Sequence, residues 1–196
     1  MKILTTATKC ILTAGVFLSL SMIAFSQVKY SSKAVNMSVS GTSTMHDWVM
    51  KSTGGDCSVT FSVDATGNIT DMTTLTVTVS SKALKSGKDA MDKNAYKALK
   101  ADKNPSITAT LKSADVSTKD NKTYTIKSVI KLTIAGKTVE TDLLATAKRV
   151  NDTSISVKGE KKISMKDYDM SPPSFMLGAV KTGNDVVLAF DVVLNQ

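Results

Sequence analysis

His46 and Trp48 are the only histidine and the only tryptophan of the chain. They stand two residues apart in Gly41-Thr42-Ser43-Thr44-Met45-His46-Asp47-Trp48. On an extended strand such a pair shares one face. One polar and one aromatic group side by side would suit a clamp at the mouth of a cavity. A plainer use is open to the same residues: Trp48 capping a core and His46 meeting a backbone carbonyl. His46 beside Asp47 is also the one place where acid–base chemistry could start. A single histidine excludes a His-cluster metal site, and any Ser-His-Asp arrangement would have to use it. No G-x-S-x-G elbow, H-E-x-x-H motif, phosphate loop or paired-cysteine motif occurs. Asp167 and Asp169 flank Tyr168, which is a weak pattern for an ion site. Carboxylates such as Asp120, Glu140 and Asp152 fall in turns or on outward faces. The residues thus predict a protein that is not an enzyme and uses no metal or cofactor.

The elements that would position these groups are strands. From Tyr124 to Ile134 every second residue (Tyr124, Ile126, Ser128, Ile130, Leu132, Ile134) points one way, and Thr125, Lys127, Val129, Lys131 and Thr133 point the other. Similar alternation predicts strands at Val35–Ser40, Asp47–Lys51, Ser58–Asp64, Ile69–Ser80, Ser106–Ser113, Thr123–Ile134, Lys137–Arg149, Thr153–Lys161, Ile163–Met165 and Asp185–Leu194. Short turns such as Gly54-Gly55-Asp56, Thr66-Gly67-Asn68 and Ala135-Gly136 separate many of them, so neighbours are antiparallel. One helix is expected over Asp89–Lys100, with Met91, Ala95, Ala98 and Leu99 on its apolar stripe and Asn104-Pro105 ending it. Lys166–Gly178, with Pro172-Pro173 and Phe175-Met176-Leu177, reads as a loop. The fold class is all-β, about eight antiparallel strands with one inserted helix. Periodicity leaves open whether they form a sandwich or a barrel, and whether the interior is a packed core or an apolar pocket.

Composition sets further bounds. Lys2 and Lys9 precede the apolar run Cys10–Phe25, and Ala24-Phe25-Ser26 offers small residues before a cut. The expectation is a secretory signal peptide over residues 1–26, cleaved before Gln27 to leave one domain over 27–196. A periplasmic or secreted location follows from it. The net charge of +8 includes Lys2 and Lys9, which leaves +6 after cleavage, since no acidic residue lies in the first 26. The lysines are scattered over outward strand faces and Arg149 is the only arginine. Nucleic-acid readers favour arginine and stacking aromatics, so no nucleic-acid partner is expected. Cys57 alone survives the cut, which excludes an intramolecular disulfide. A lone cysteine before a strand is most often a small buried apolar group.

Four stretches, in order, carry a resemblance. They are GTSTMHDW at Gly41–Trp48; Met91–Thr108, where a helix runs into Lys103-Asn104-Pro105-Ser106-Ile107-Thr108; Lys131–Val139, reading KLTIAGKTV; and Lys166–Leu194. Together the chain resembles the YceI-like family of exported, lipocalin-like proteins that bind polyisoprenoids. It departs from the family pattern at Thr108-Ala109, where an aromatic is usual. It departs again at Lys137-Thr138-Val139, which lacks a Lys-Pro pair, and at Asp169-Met170, which replaces phenylalanine-glycine. The resemblance implies an extended antiparallel lipocalin-like barrel around an apolar cavity, holding an isoprenoid or similar long apolar lipid for transport, storage or sequestration. The ten methionines (two of them in the expected signal region) would adapt to an irregular apolar guest. The cavity-lining candidates are Trp48, Phe61, Leu75, Val77, Met91, Tyr96, Ile130, Leu132, Leu143, Phe175 and Phe190, with His46 as the polar group at the mouth. Transient membrane contact and a homodimer are compatible with this reading. The alternative is an exported stress or surface barrel that grips a protein partner through its 166–178 loop.

Overall fold

The structure, a computed structural model, describes residues 26–196. The expected signal peptide lies outside the described residues apart from Ser26.

Eleven strands form: β1 (Ser26–Ser32), β2 (Val35–Ser43), β3 (Trp48–Ser52), β4 (Asp56–Val63), β5 (Ile69–Ser80), β6 (Ser106–Thr118), β7 (Thr123–Ile134), β8 (Lys137–Asn151), β9 (Ser154–Ser164), β10 (Ser174–Phe175) and β11 (Val180–Asn195). The helix α1 (Asp89–Ala98) sits between β5 and β6. The strands run in the order β1-β4-β5-β6-β7-β8-β9-β11, and β11 meets β1 again at Ser31↔Asn195, closing a ring of eight. Every pairing is antiparallel. β2 continues the chain from β1 along β11, from Val192↔Val35 to Thr182↔Ser43, and carries β3 on its other side. The structure thereby answers the question that periodicity left open: the sheet is a barrel.

Alternation dictates the wall. On β7 the residues Tyr124, Ile126, Ser128, Ile130, Leu132 and Ile134 are all buried, and those between them are exposed or half-buried. Burying Ser128 leaves its hydroxyl to be satisfied, and its Oγ donates to the Leu143 carbonyl at 3.2 Å. The β7–β8 hairpin turns on Ala135-Gly136, with φ of 53° and 84°. This is the left-handed pair that matches the twist of the flanking strands.

Several boundaries differ from expectation. β1 was hidden by its closeness to the predicted cut. The expected break between Lys161 and Ile163 does not exist; β9 runs unbroken to Ser164, and Met165, expected in a strand, begins a 3-10 turn. In Lys166–Gly178 the chain makes two short 3-10 turns and the two-residue β10.

The two ends of the barrel differ. At one end, the turns after β4, β6 and β8 close over Tyr30, Phe61, Tyr124, Ile155 and Leu194, all 2% exposed or less. Tyr30 and Phe61 meet edge to face at 5.9 Å. The Tyr124 hydroxyl donates to the Asn121 carbonyl at 2.9 Å, and Arg149 Nη2 donates to the Gly67 carbonyl at 2.6 Å. The first bond closes the β6–β7 turn on itself, and the second ties the end of β8 to the β4–β5 turn. At the other end lie α1, the β2–β3 turn and the 165–179 segment.

Candidate functional site

The open end contains a cavity of about 340 Å³. α1 forms one wall. Its apolar stripe, read from the sequence as Met91, Ala95, Ala98 and Leu99, lies against the cavity. The opposite wall comes from Val39, Trp48 and Met50 on β2 and β3. Met165, Met170 and Phe175 enter from the irregular segment after β9. Only Ser43, His46, Lys88 and Thr182 add polar side chains to the lining. His46, Lys88 and Ala90 are exposed, so they mark the mouth.

Below it, toward the plugged end, a second cavity of about 130 Å³ is walled by Phe61, Leu75, Val77, Ile130, Leu132, Leu143 and Phe190, among others. Ile107 and Leu188 line both cavities, so the two abut there. Gly159 faces Phe190 across the ladder; a Cβ there would come within 2.6 Å of the Phe190 ring. The missing side chain is what lets that ring lie over the strand. Cys57 also lines this cavity, and burial pushes its thiol up to about 11, so it stays protonated and inert near neutrality.

Of the candidates read from the sequence, Trp48, Met91, Phe175 and His46 lie on the first cavity. Phe61, Leu75, Val77, Ile130, Leu132, Leu143 and Phe190 lie on the second. Tyr96 lies on neither. Its hydroxyl donates to the carbonyls of Lys82 and Leu84 at 3.0 and 2.9 Å, and the Lys85 ammonium stands 5.2 Å from its ring centre. Tyr96 therefore pins α1 to the segment before it.

The β2–β3 turn sets the mouth. His46 precedes the strand rather than sharing its alternation with Trp48, since β3 begins at Trp48. The turn is held by Ser43, whose Oγ donates to the His46 carbonyl at 2.7 Å. His46 Nδ1 contacts the Asp47 carbonyl at 2.8 Å. A carbonyl can only accept, so Nδ1 carries the hydrogen, and Nε2 has no partner among the described residues. Trp48 Nε1 donates to the Thr42 carbonyl at 3.0 Å. Its ring lies on Gly41, where a Cβ would meet the ring at 2.5 Å. Both plain expectations, a carbonyl for His46 and a packed ring for Trp48, coexist with a place on the cavity.

Two charged groups break the expected outward pattern. Asp92 on α1 is buried and accepts from Ser86 N and Ser86 Oγ at 2.8 and 2.7 Å. Burial works against its charged form, yet these bonds and Lys85 at 3.7 Å hold its carboxyl below the ordinary range. Lys161 follows Val157 and Gly159 on the inward side of β9 and lines the second cavity. The β8–β9 ladder stops at Leu144↔Glu160, and past that point the Lys161 ammonium reaches Asp142 on the outside at 2.8 Å. The wall is closed there by a side chain instead of by backbone hydrogen bonds. Met165 shares the parity of Ile163 in the expected strand Ile163–Met165, but no pattern in the sequence flags Met170 or Lys161: Met170 lies in an aperiodic segment, and a lysine on the inward parity reads as noise.

Asp169 pairs with Lys137 at 3.3 Å, and its carbonyl accepts from Lys100. Among the described residues no group of three or more His, Cys, Asp or Glu could hold a metal ion, and no helix is long and apolar enough to cross a membrane.

A closed antiparallel barrel with an apolar interior and one open end defines a lipocalin-like architecture. The YceI-like domain family matches residues 22–194, and the chain belongs to that family. Solved structures of the same fold include BcnA of Burkholderia cenocepacia (TM-score 0.63, 15% identity, 81% of this chain and 95% of that one). A polyisoprenoid binding domain from Saccharophagus degradans aligns with TM-score 0.58 and 10% identity, over 85% of this chain and 97% of that one. The Campylobacter jejuni YceI protein aligns with TM-score 0.54 and 22% identity, over 72% and 81%. No curated protein matches the chain.

Proposed function

We propose that the protein is an exported, non-catalytic carrier or store for a long apolar lipid of isoprenoid type. The observation that carries this reading is the pair of abutting cavities lined almost wholly by aliphatic, methionine and aromatic side chains. A chain of isoprene units has little hydrogen-bonding capacity, so such a lining is sufficient, at roughly 25 cal/mol per Å² of apolar area buried. The first cavity is at the small end of ligand sites, which run from about 300 to 1,000 Å³. A long chain would enter it beside Trp48 and Met91, pass Ile107 and Leu188, and end among Leu132, Leu143 and Phe190. His46 Nε2, the uncommitted ring nitrogen, would meet a polar head at the mouth. The polyisoprenoid-binding Saccharophagus degradans domain, which shares the fold, supports the same ligand class. The N-terminal signal-like segment supports a periplasmic or secreted location.

The test is native mass spectrometry of the protein purified from its own envelope, followed by solvent extraction. One long apolar species in stoichiometric amount is the expected result. A protein that is empty, and that takes up no isoprenoid when offered one, would overturn the reading.

A further inference from the structure

Leu177 is fully exposed, at 110% of its reference area, in the left-handed backbone region (φ 55°, ψ 31°). For a leucine both conditions are unfavourable, and nothing within the fold offsets either. Met45, at the tip of the β2–β3 turn, is 70% exposed. The two tips belong to one rim. Thr44 N donates to the Lys181 carbonyl at 3.0 Å, and Lys181 N donates to Thr44 Oγ1 at 3.2 Å. The segments that bear the tips also line the first cavity, through Ser43, His46 and Trp48 on one side and Phe175, Val180 and Thr182 on the other.

We infer that this rim docks on the surface of a lipid bilayer, with Met45 and Leu177 entering the interface and the cavity mouth facing the lipid. Three features favour a bilayer over a protein partner. The tips are separate apolar points flanking a mouth, and they do not form a continuous groove that would grip a chain. Lys88 lines the same cavity and Lys181 is hydrogen-bonded to Thr44 beside Met45, and among the described residues neither makes an ion pair. Asp47 and Asp89 share the rim, so the attraction comes mainly from the net charge, +6 with Lys2 and Lys9 set aside. A net positive protein is drawn to anionic headgroups, and apolar tips then hold it at the interface. The inference rests on the cavity being a lipid site. A long apolar chain passing directly between bilayer and barrel never has to cross water.

The experiment is flotation of the protein, purified from its own envelope, with vesicles of phosphatidylethanolamine and phosphatidylglycerol, and with neutral phosphatidylcholine vesicles. Trp48, the only tryptophan, is at the rim and reports contact through quenching by brominated acyl chains. The wild-type protein should float with anionic vesicles and be quenched. A Met45→Asp/Leu177→Asp variant should lose binding at least tenfold with its melting temperature unchanged, because neither side chain is buried. Equal binding by wild type and variant would overturn the inference. So would failure of the wild type to bind either vesicle, in which case the exposed rim is left to a protein partner. The lipid content of both proteins, measured by extraction, keeps the two readings apart. A lipid-loaded protein that ignores vesicles defeats docking alone; a vesicle-bound protein that never holds lipid defeats the carrier reading.

Discussion

The plugged end around Tyr30, Phe61 and Tyr124 and the open end around Trp48, Met91 and Phe175 are made from one sheet, yet they solve opposite problems. At the plugged end, large side chains meet ring to ring and polar tips are spent on turn carbonyls, as Tyr124 does with Asn121 and Arg149 with Gly67. At the open end, small residues on α1 and methionines from an aperiodic segment leave space between them. The difference teaches where stability and binding reside. The first end holds the barrel shut, and the second is shaped around a cavity of about 340 Å³ rather than a close-packed core.

The sharpest way to break the comparison is a pair of truncations. Phe61→Ala should cost about 3–5 kcal/mol by chemical denaturation, since the ring is fully buried. Trp48→Ala should cost markedly less, because the half-buried ring lies on the rim, while the amount of co-purified lipid falls. Equal stability losses would mean that the open end is as much a core as the plugged one. Next in size is Asp92→Ala, expected to cost about 1–3 kcal/mol by leaving the Ser86 N–H without its acceptor. It should also speed the release of bound lipid, because α1 is a cavity wall. An unaltered release rate would show that α1 stays in place without this anchor.

The smallest effect concerns acid. In the β4–β5 turn of the plugged end, Asp64 accepts from the Thr66 hydroxyl and from the amides of Thr66 and Asn68. These bonds hold its carboxyl down to about 2 from an ordinary value of 3.8. A depressed folded-state value means that the contribution is fully present above about pH 4 and is lost as pH falls through 2. Melting temperature followed from pH 4 to 2 should therefore drop more in the wild type than in Asp64→Asn. Parallel curves would show that the turn does not depend on the charge.

Much of the wall was legible in the sequence. β7 alternates without a fault, and the α1 stripe falls on the cavity at all four residues read for it. Closure was not legible, because it depends on Ser31 meeting Asn195, and periodicity reports a strand's faces but never its neighbours. The site was half legible. Inward residues on regular strands, such as Leu132 and Phe190, follow from parity. Tyr96 shares the helix with Met91 but turns to the Lys82 and Leu84 carbonyls, and parity cannot tell a wall from a pin. Met170 comes from a segment with no period at all.

The barrel closes through β11, which pairs with β9 and β2 and reaches β1 at Asn195. Residues that meet in space there stand at opposite ends of the described sequence. No emerging nascent chain can complete the ring before Asn195 is free, so the unfinished barrel has open edges along β1, β2 and β9 until then. Such non-local pairing puts folding in the slow, millisecond-to-second class of high contact order. A truncation short of β11 would leave four strands, β1, β2, β9 and β10, without that partner at once.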